Sequence, residues 1–100
     1  MTEHRLVAEP AADADVEAAF GWYENESPGL GLEFLNELRA AYGRIVDGPL
    51  KYRDLRSGIR RALLRRFPYA VYFAVEEYTI VVLTVLRAHR DPAAWQRRGG

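Results

Sequence analysis

One hundred residues, 49% of them hydrophobic and none of them cysteine, are enough for one core and too few for two, so a single domain over 1–100 is expected. The missing cysteine excludes disulfide frameworks and thiolate metal centres and fits a reducing, cytoplasmic compartment. Net charge is zero, but residues 1–50 carry ten carboxylates against three arginines (−7) and residues 51–100 carry eleven cations against four carboxylates (+7), ten of the eleven being Arg. Arg offers a rigid donor fork for carboxylates and phosphates, so the late half is suited to an anionic partner surface.

The opening MTEHRLVAEP lacks an apolar h-region, so no secretory signal is expected there. Leu6, Val7 and Ala8 predict a short strand ended by Pro10. Residues 11–25 read as a helix, with Ala12, Val16, Ala19, Phe20 and Tyr23 at three- and four-residue spacing. Asp13, Asp15 and Glu17 fall in its early turns, where the helix dipole favours negative charge. Gly21 costs that helix about 1 kcal/mol relative to Ala, which points to close packing there. Trp22 and Tyr23 are expected to pack at the helix pair.

Ser27-Pro28 reads as N-cap and first helical position of a second helix. Leu30, Phe34, Leu38, Ala41, Tyr42 and Ile45 form its apolar stripe, and Gly48-Pro49 stops it. Gly29 and Gly31 belong to the turn and helix entry, since no strand precedes them and no Lys follows to make a phosphate loop. The two helices form an antiparallel hairpin.

Residues 47–58 show little regular pattern. Beyond them the period becomes strand-like, over 59–66, 69–76 and 79–86, with a break at Phe67-Pro68. Tyr69, Val71, Phe73 and Val75 alternate with Ala70, Tyr72 and Ala74. The last strand is apolar on both faces, as an interior strand is. Its apolar run, 80–86 with Thr84 inside it, is far below the ~20 residues of a membrane helix. Glu76-Glu77-Tyr78 must turn the chain between these strands, without the usual Gly or Asn. Asp91-Pro92 then predicts a short terminal helix over 93–98. The fold class is therefore α+β, in the order β-α-α-β-β-β with a helical tail, the helix hairpin packing on a small, mainly antiparallel sheet.

Arg60, Arg61, Arg65 and Arg66 stand out. One reading is a charged edge strand that resists aggregation; another is contact with an anionic partner or with the acidic helices. Exposed internal pairs of that kind contribute only about 0–1 kcal/mol each. Two histidines, His4 and His89, lie too far apart in sequence to suggest a metal site, and no cofactor motif is present.

The stretches WYENESPGLGLEFLNEL (22–38), IRRALLRRFPYAVYFAVE (59–76) and VVLTVLRAHRDPAAWQRR (81–98) resemble the RelE/ParE superfamily of bacterial type II toxins, closer to its ParE-like branch. The resemblance implies a growth-inhibiting, plasmid-stabilising type of protein, cytoplasmic and neutralised by a cognate antitoxin that wraps the sheet and helix pair. ParE-like members bind DNA gyrase without a catalytic site; RelE-like members cut mRNA on the ribosome. Where the nucleases carry Arg in a Tyr-Arg-Leu-Val-Tyr strand, this chain has Ala70. Where some end in His-Tyr it has His89-Arg90, and where others place a late Tyr it has Trp95.

The resemblance therefore implies binding to gyrase in preference to endoribonuclease action, with an inactive binding module as a further alternative. Were RNA cleaved, His89, Arg65 and Arg66 would have to serve. The residues expected to meet antitoxin or target are Arg60, Arg61, Arg65, Arg66, Arg87, Arg90, Trp95, Arg97 and Arg98. A homodimer or a heterotetramer with antitoxin is compatible with this reading.

Overall fold

The structure, a computed structural model, describes residues 4–88. Through them the chain runs β1 (Arg5–Ala8), α1 (Pro10–Glu26), α2 (Leu30–Asp47), a 3-10 turn (Pro49–Lys51), β2 (Asp54–Arg56), β3 (Ile59–Leu63), β4 (Tyr69–Glu76) and β5 (Thr79–Arg87). The predicted helix over 93–98, with His89, Arg90, Trp95, Arg97 and Arg98, lies outside the described residues. The five strands form one sheet in the order β1-β5-β4-β3-β2. Only the β1–β5 pair is parallel. The α+β order expected from the sequence holds, with one strand more.

That extra strand is β2. The stretch read as irregular pairs Asp54 with Arg60 and Arg56 with Ile59. Ser57 (φ 52) and Gly58 (φ 84) turn the chain between them, a two-residue reversal of the kind that demands left-handed backbone. Both carboxylate oxygens of Asp54 accept from the Gly58 N–H at 3.1 Å. Because β2 lies outside it, β3 is not an edge strand. The charged-edge explanation of Arg60 and Arg61 is corrected accordingly.

β3 is also shorter than expected. It ends at Leu63, and residues 64–68 form a loop in which Leu64 and Phe67 turn inward, 6% and 8% exposed. The Leu64 N–H donates to the Tyr69 carbonyl at 2.9 Å, closing the loop onto β4. Arg65 and Arg66 therefore ride a bend, not a strand.

The helix junction differs from the Ser-Pro expectation. Ser27 closes α1, its N–H donating to the Tyr23 carbonyl at 3.1 Å. Gly29 (φ 90) is the N-cap of α2. No side chain on α2 caps it. Instead Glu24, in the last turn of α1, reaches across: Oε2 accepts from the Gly29 N–H and Oε1 from the Gly31 N–H, both at 3.0 Å. One carboxylate thus satisfies two orphan donors at the positive end of the α2 dipole.

The close helix approach also sits at Gly31, not Gly21. A Cβ on Gly31 would meet the Phe20 ring and Glu24 Oε1 at 2.9 Å, whereas Gly21 is exposed with nothing within 4 Å.

The helices cover one face of the sheet. Phe34 and Ile45 of α2 bury against Val71 and Phe73 of β4 and Ile80, Val82 and Val85 of β5, each 1% exposed or less. Ala70 and Tyr72 face the other way, 0% and 3% exposed, and pack with Leu55, Ile59, Leu86 and Ala88. This is the alternation predicted for β4. Opposite Tyr72 and Phe73 stand Thr84 and Val82, so Leu83 is an extra residue, a bulge. The bulge shifts the inward set of β5 by one place, to Ile80, Val82 and Val85, while Leu86 packs with Ala70 and Tyr72, so both faces of the strand are apolar.

Candidate partner-binding surfaces

The four central arginines do not share one surface. Arg60 and Arg61 are neighbours on a strand and so project to opposite faces. Arg60, half-buried and opposite Phe73, donates through Nη1 to the Tyr52 carbonyl, anchoring the segment that leads into β2. Arg61, opposite Tyr72, lies half-buried on the sheet face away from the helices.

Arg65 and Arg66 are exposed in the 64–68 loop. Arg66 reaches α2, with Nη2 3.1 Å from Glu33 Oε1 and Nε 3.5 Å from Glu37 Oε2. The basic half and the acidic half of the chain meet here. With side chains 60% and 54% exposed at the shorter contact, this pair contributes at most about 1 kcal/mol. Of the described arginines singled out, Arg60 and Arg66 are thus engaged within the chain. Arg61 and Arg65 point away from the helix-covered face and from α2 respectively, Arg65 exposed, and Arg87 packs against aromatic rings.

Arg87 ends β5 beside α1. Its guanidinium carbon lies 5.8 Å from the ring centroids of both Trp22 and Tyr69, a geometry worth about 0.5–1 kcal/mol per exposed contact. These groups, with Asp15 and Ala18 of α1 and Val85 of β5, line a cleft of about 390 Å³. Trp22 is 51% exposed at its mouth. Packing within the helix pair, expected of Trp22, falls to Tyr23 alone, whose ring meets Phe34, Phe67 and Tyr69 at centroid distances of 5.5, 4.9 and 6.0 Å. Helical spacing puts Trp22 one position off the buried stripe, which was the signal for this.

A second groove of about 230 Å³ lies between the helices on their outer side, lined by Asp13 and Val16 of α1 and Leu35, Leu38, Arg39 and Tyr42 of α2. Burial, and secondarily the Asp13 carboxylate, pushes the Tyr42 hydroxyl from 10.0 up to about 12. Between those values the folded chain keeps a proton that the unfolded chain has lost. Stability therefore falls as pH rises from about 10 to about 12. Thermal melts across that window should show a shallower decline for Tyr42→Phe than for the native chain; parallel declines would remove Tyr42 from the account.

Sequence reasoning passed over Lys51, Arg53 and Arg56, exposed around β2. The Ser57-Gly58 dipeptide was the cue to that hairpin. Ala70, at the position where the nuclease branch places Arg, is fully buried between neighbouring strands.

Residues 6–92 match the family described as "ParE toxin of type II toxin-antitoxin system, parDE". Among solved structures, the chromosomal ParDE toxin–antitoxin system of P. aeruginosa superposes with a TM-score of 0.77 at 20% identity, covering 87% of this chain and 98% of that one. The RelBE2 toxin–antitoxin complex of Mycobacterium tuberculosis gives 0.57 at 18% identity, over 86% of this chain and 99% of that one. No curated protein sequence matches this chain significantly. Among the described residues no helix is long and apolar enough to cross a membrane.

Proposed function

The chain belongs to the ParE toxin family of type II toxin–antitoxin systems, and we propose that it arrests growth by binding DNA gyrase until a cognate antitoxin covers it. The observation that carries this reading is Ala70. The strand position at which nuclease relatives present a phosphate-binding cation here holds a methyl group, 0% exposed. Stabilising a cleaved phosphate needs a preorganised cation at that point, and a buried alanine supplies none. A docking surface, by contrast, needs only exposed anchors and charge. Arg87 with Trp22, and Arg61 and Arg65, are of that type.

The test combines induced expression with two readouts. Purified protein should block supercoiling by purified gyrase and leave translated mRNA intact in primer extension. Cleaved transcripts with active gyrase, lost on His89→Ala, would replace this reading with the ribosome-dependent endoribonuclease.

A further inference from the structure

We propose that the β2 edge of the sheet is a docking surface for the phosphate backbone of duplex DNA, held by Lys51, Arg53, Arg56 and Arg61. This rests on the gyrase reading above and specifies it: the chain engages the enzyme together with its DNA.

The topology brings these cations to one end of the sheet. Lys51 closes the 3-10 turn, Arg53 leads into β2, Arg56 ends it, and Arg61 lies on the adjoining β3. The register that sets Asp54 opposite Arg60 puts Arg53 opposite Arg61, about 5 Å away across one strand spacing. Arg56 stands opposite Ile59. The Lys51 side chain lies over Gly48, in space that a Cβ there would fill. From Lys51 to Arg56 the backbone spans at most about 17 Å. One strand of a DNA duplex places about five phosphates along that length. Arg, the type of all but Lys51, presents a fork that fits phosphate oxygens.

Lys51, Arg53 and Arg56 are exposed and Arg61 is half-buried. Among the described residues none of the four makes an ion pair. The carboxylate inside the segment, Asp54, is turned with both oxygens to the Gly58 N–H. Other exposed carboxylates stand elsewhere: Asp13, Glu17 and Glu33 on the helices, Glu76 and Glu77 at the β4–β5 turn, two strands over from β2. A chain of zero net charge thus presents a positive sheet edge and a negative helix layer. Such a dipole orients the molecule on a polyanion.

A charged edge that only resists strand pairing explains less. Charges on the edge strand itself would meet that need, whereas Lys51 precedes β2 and Arg61 sits on an interior strand. The opposite edge, β1, bears an exposed Val7 and one cation, Arg5.

The aromatic residues favour a duplex over a single strand. Single strands are gripped by stacking their bases on exposed rings. The rings beside these cations are occupied in packing. Tyr52 meets Phe73 edge-on with centroids 5.7 Å apart, and Tyr72, opposite Arg61, is 3% exposed. Cations without a stacking platform hold the phosphate backbone and leave the bases unread.

The probe is a fluorescent duplex of about 30 base pairs, titrated with the full chain by anisotropy at about 50 and about 200 mM salt. Four phosphate contacts predict a log–log salt slope of about −3.6 and about 100-fold weaker binding at the higher salt. The double variant Arg53→Gln, Arg56→Gln, both at exposed positions, should bind at least about tenfold more weakly, with a slope smaller by about two. Arg5→Gln, on the opposite edge, should stay within about twofold. The double variant should hold DNA-free gyrase as the native chain does, yet inhibit supercoiling less.

A native chain that does not bind the duplex, or whose binding ignores both salt and the double variant, overturns this inference; supercoiling still blocked in that case leaves the gyrase reading standing. Tighter binding to single-stranded RNA of equal length overturns the choice of duplex. Salt-dependent duplex binding with no hold on gyrase keeps the DNA surface and removes gyrase as the target.

Discussion

Phe34→Ala should lower the unfolding free energy by about 3–5 kcal/mol, the range for emptying a buried aromatic site. Phe34 is 0% exposed and its ring is held on three sides: Tyr23 at 5.5 Å, Phe67 at 5.5 Å and Tyr69 at 5.2 Å between centroids. These partners come from α1, the 64–68 loop and β4, so the cavity would touch three elements and none could close it alone. Trp22→Ala removes a larger ring from a half-exposed site and should cost under about 1 kcal/mol. Urea titrations with a common m-value check the contrast. Equal losses would mean that the aromatic cluster is not the centre of the core. The difference matters for function, because a domain of this size has only about 5–15 kcal/mol in reserve. Loss of toxicity in Phe34→Ala would report unfolding, whereas loss in Trp22→Ala would report the binding cleft.

Much of this architecture is legible in the residues. The stripes of α1 and α2, the alternation along β4 and the interior placement of β5 follow from hydrophobic period, since each element has one face to bury. What escaped was set by contacts between distant residues. β2 is three residues long, too short for a period, and only its Ser57-Gly58 turn betrays it. The N-cap of α2 looked like Ser27 because local rules consider side chains on the same helix; the carboxylate that fills the role, Glu24, belongs to the helix before. The Leu83 bulge cannot be read from β5, since it exists only relative to β4. Strand alternation alone places Arg60 and Arg61 on opposite faces, but that Arg65 and Arg66 leave the sheet follows only from the inward turn of Leu64 and Phe67.

Asp15→Ala should cost about 1–3 kcal/mol, although Asp15 lies on the half-exposed flank of α1, because it leaves a buried donor without an acceptor. β1 pairs with β5 only from Arg5 opposite Thr79 to Ala8 opposite Val82. The Glu9 N–H still donates to the Val82 carbonyl at 2.9 Å, and then Pro10 turns the chain into α1. β5 runs on to Arg87 with that side vacated. The Val85 N–H, on a residue 1% exposed, faces the gap, and Asp15 Oδ2 accepts from it at 3.0 Å. One carboxylate substitutes for the missing strand. Asp15→Asn keeps an acceptor oxygen and should lose under about 1 kcal/mol. Hydrogen exchange at the Val85 amide should quicken in the Ala variant and stay slow in the Asn variant. If the two variants are equally destabilised, the charge of Asp15 matters and its bond to Val85 does not. The same bond ties the end of β5 to α1, and that end carries Arg87 to Trp22 and Tyr69. Asp15→Ala should therefore also loosen the Arg87 end of β5, read as faster exchange at the neighbouring amides, which Asp15→Asn should leave slow.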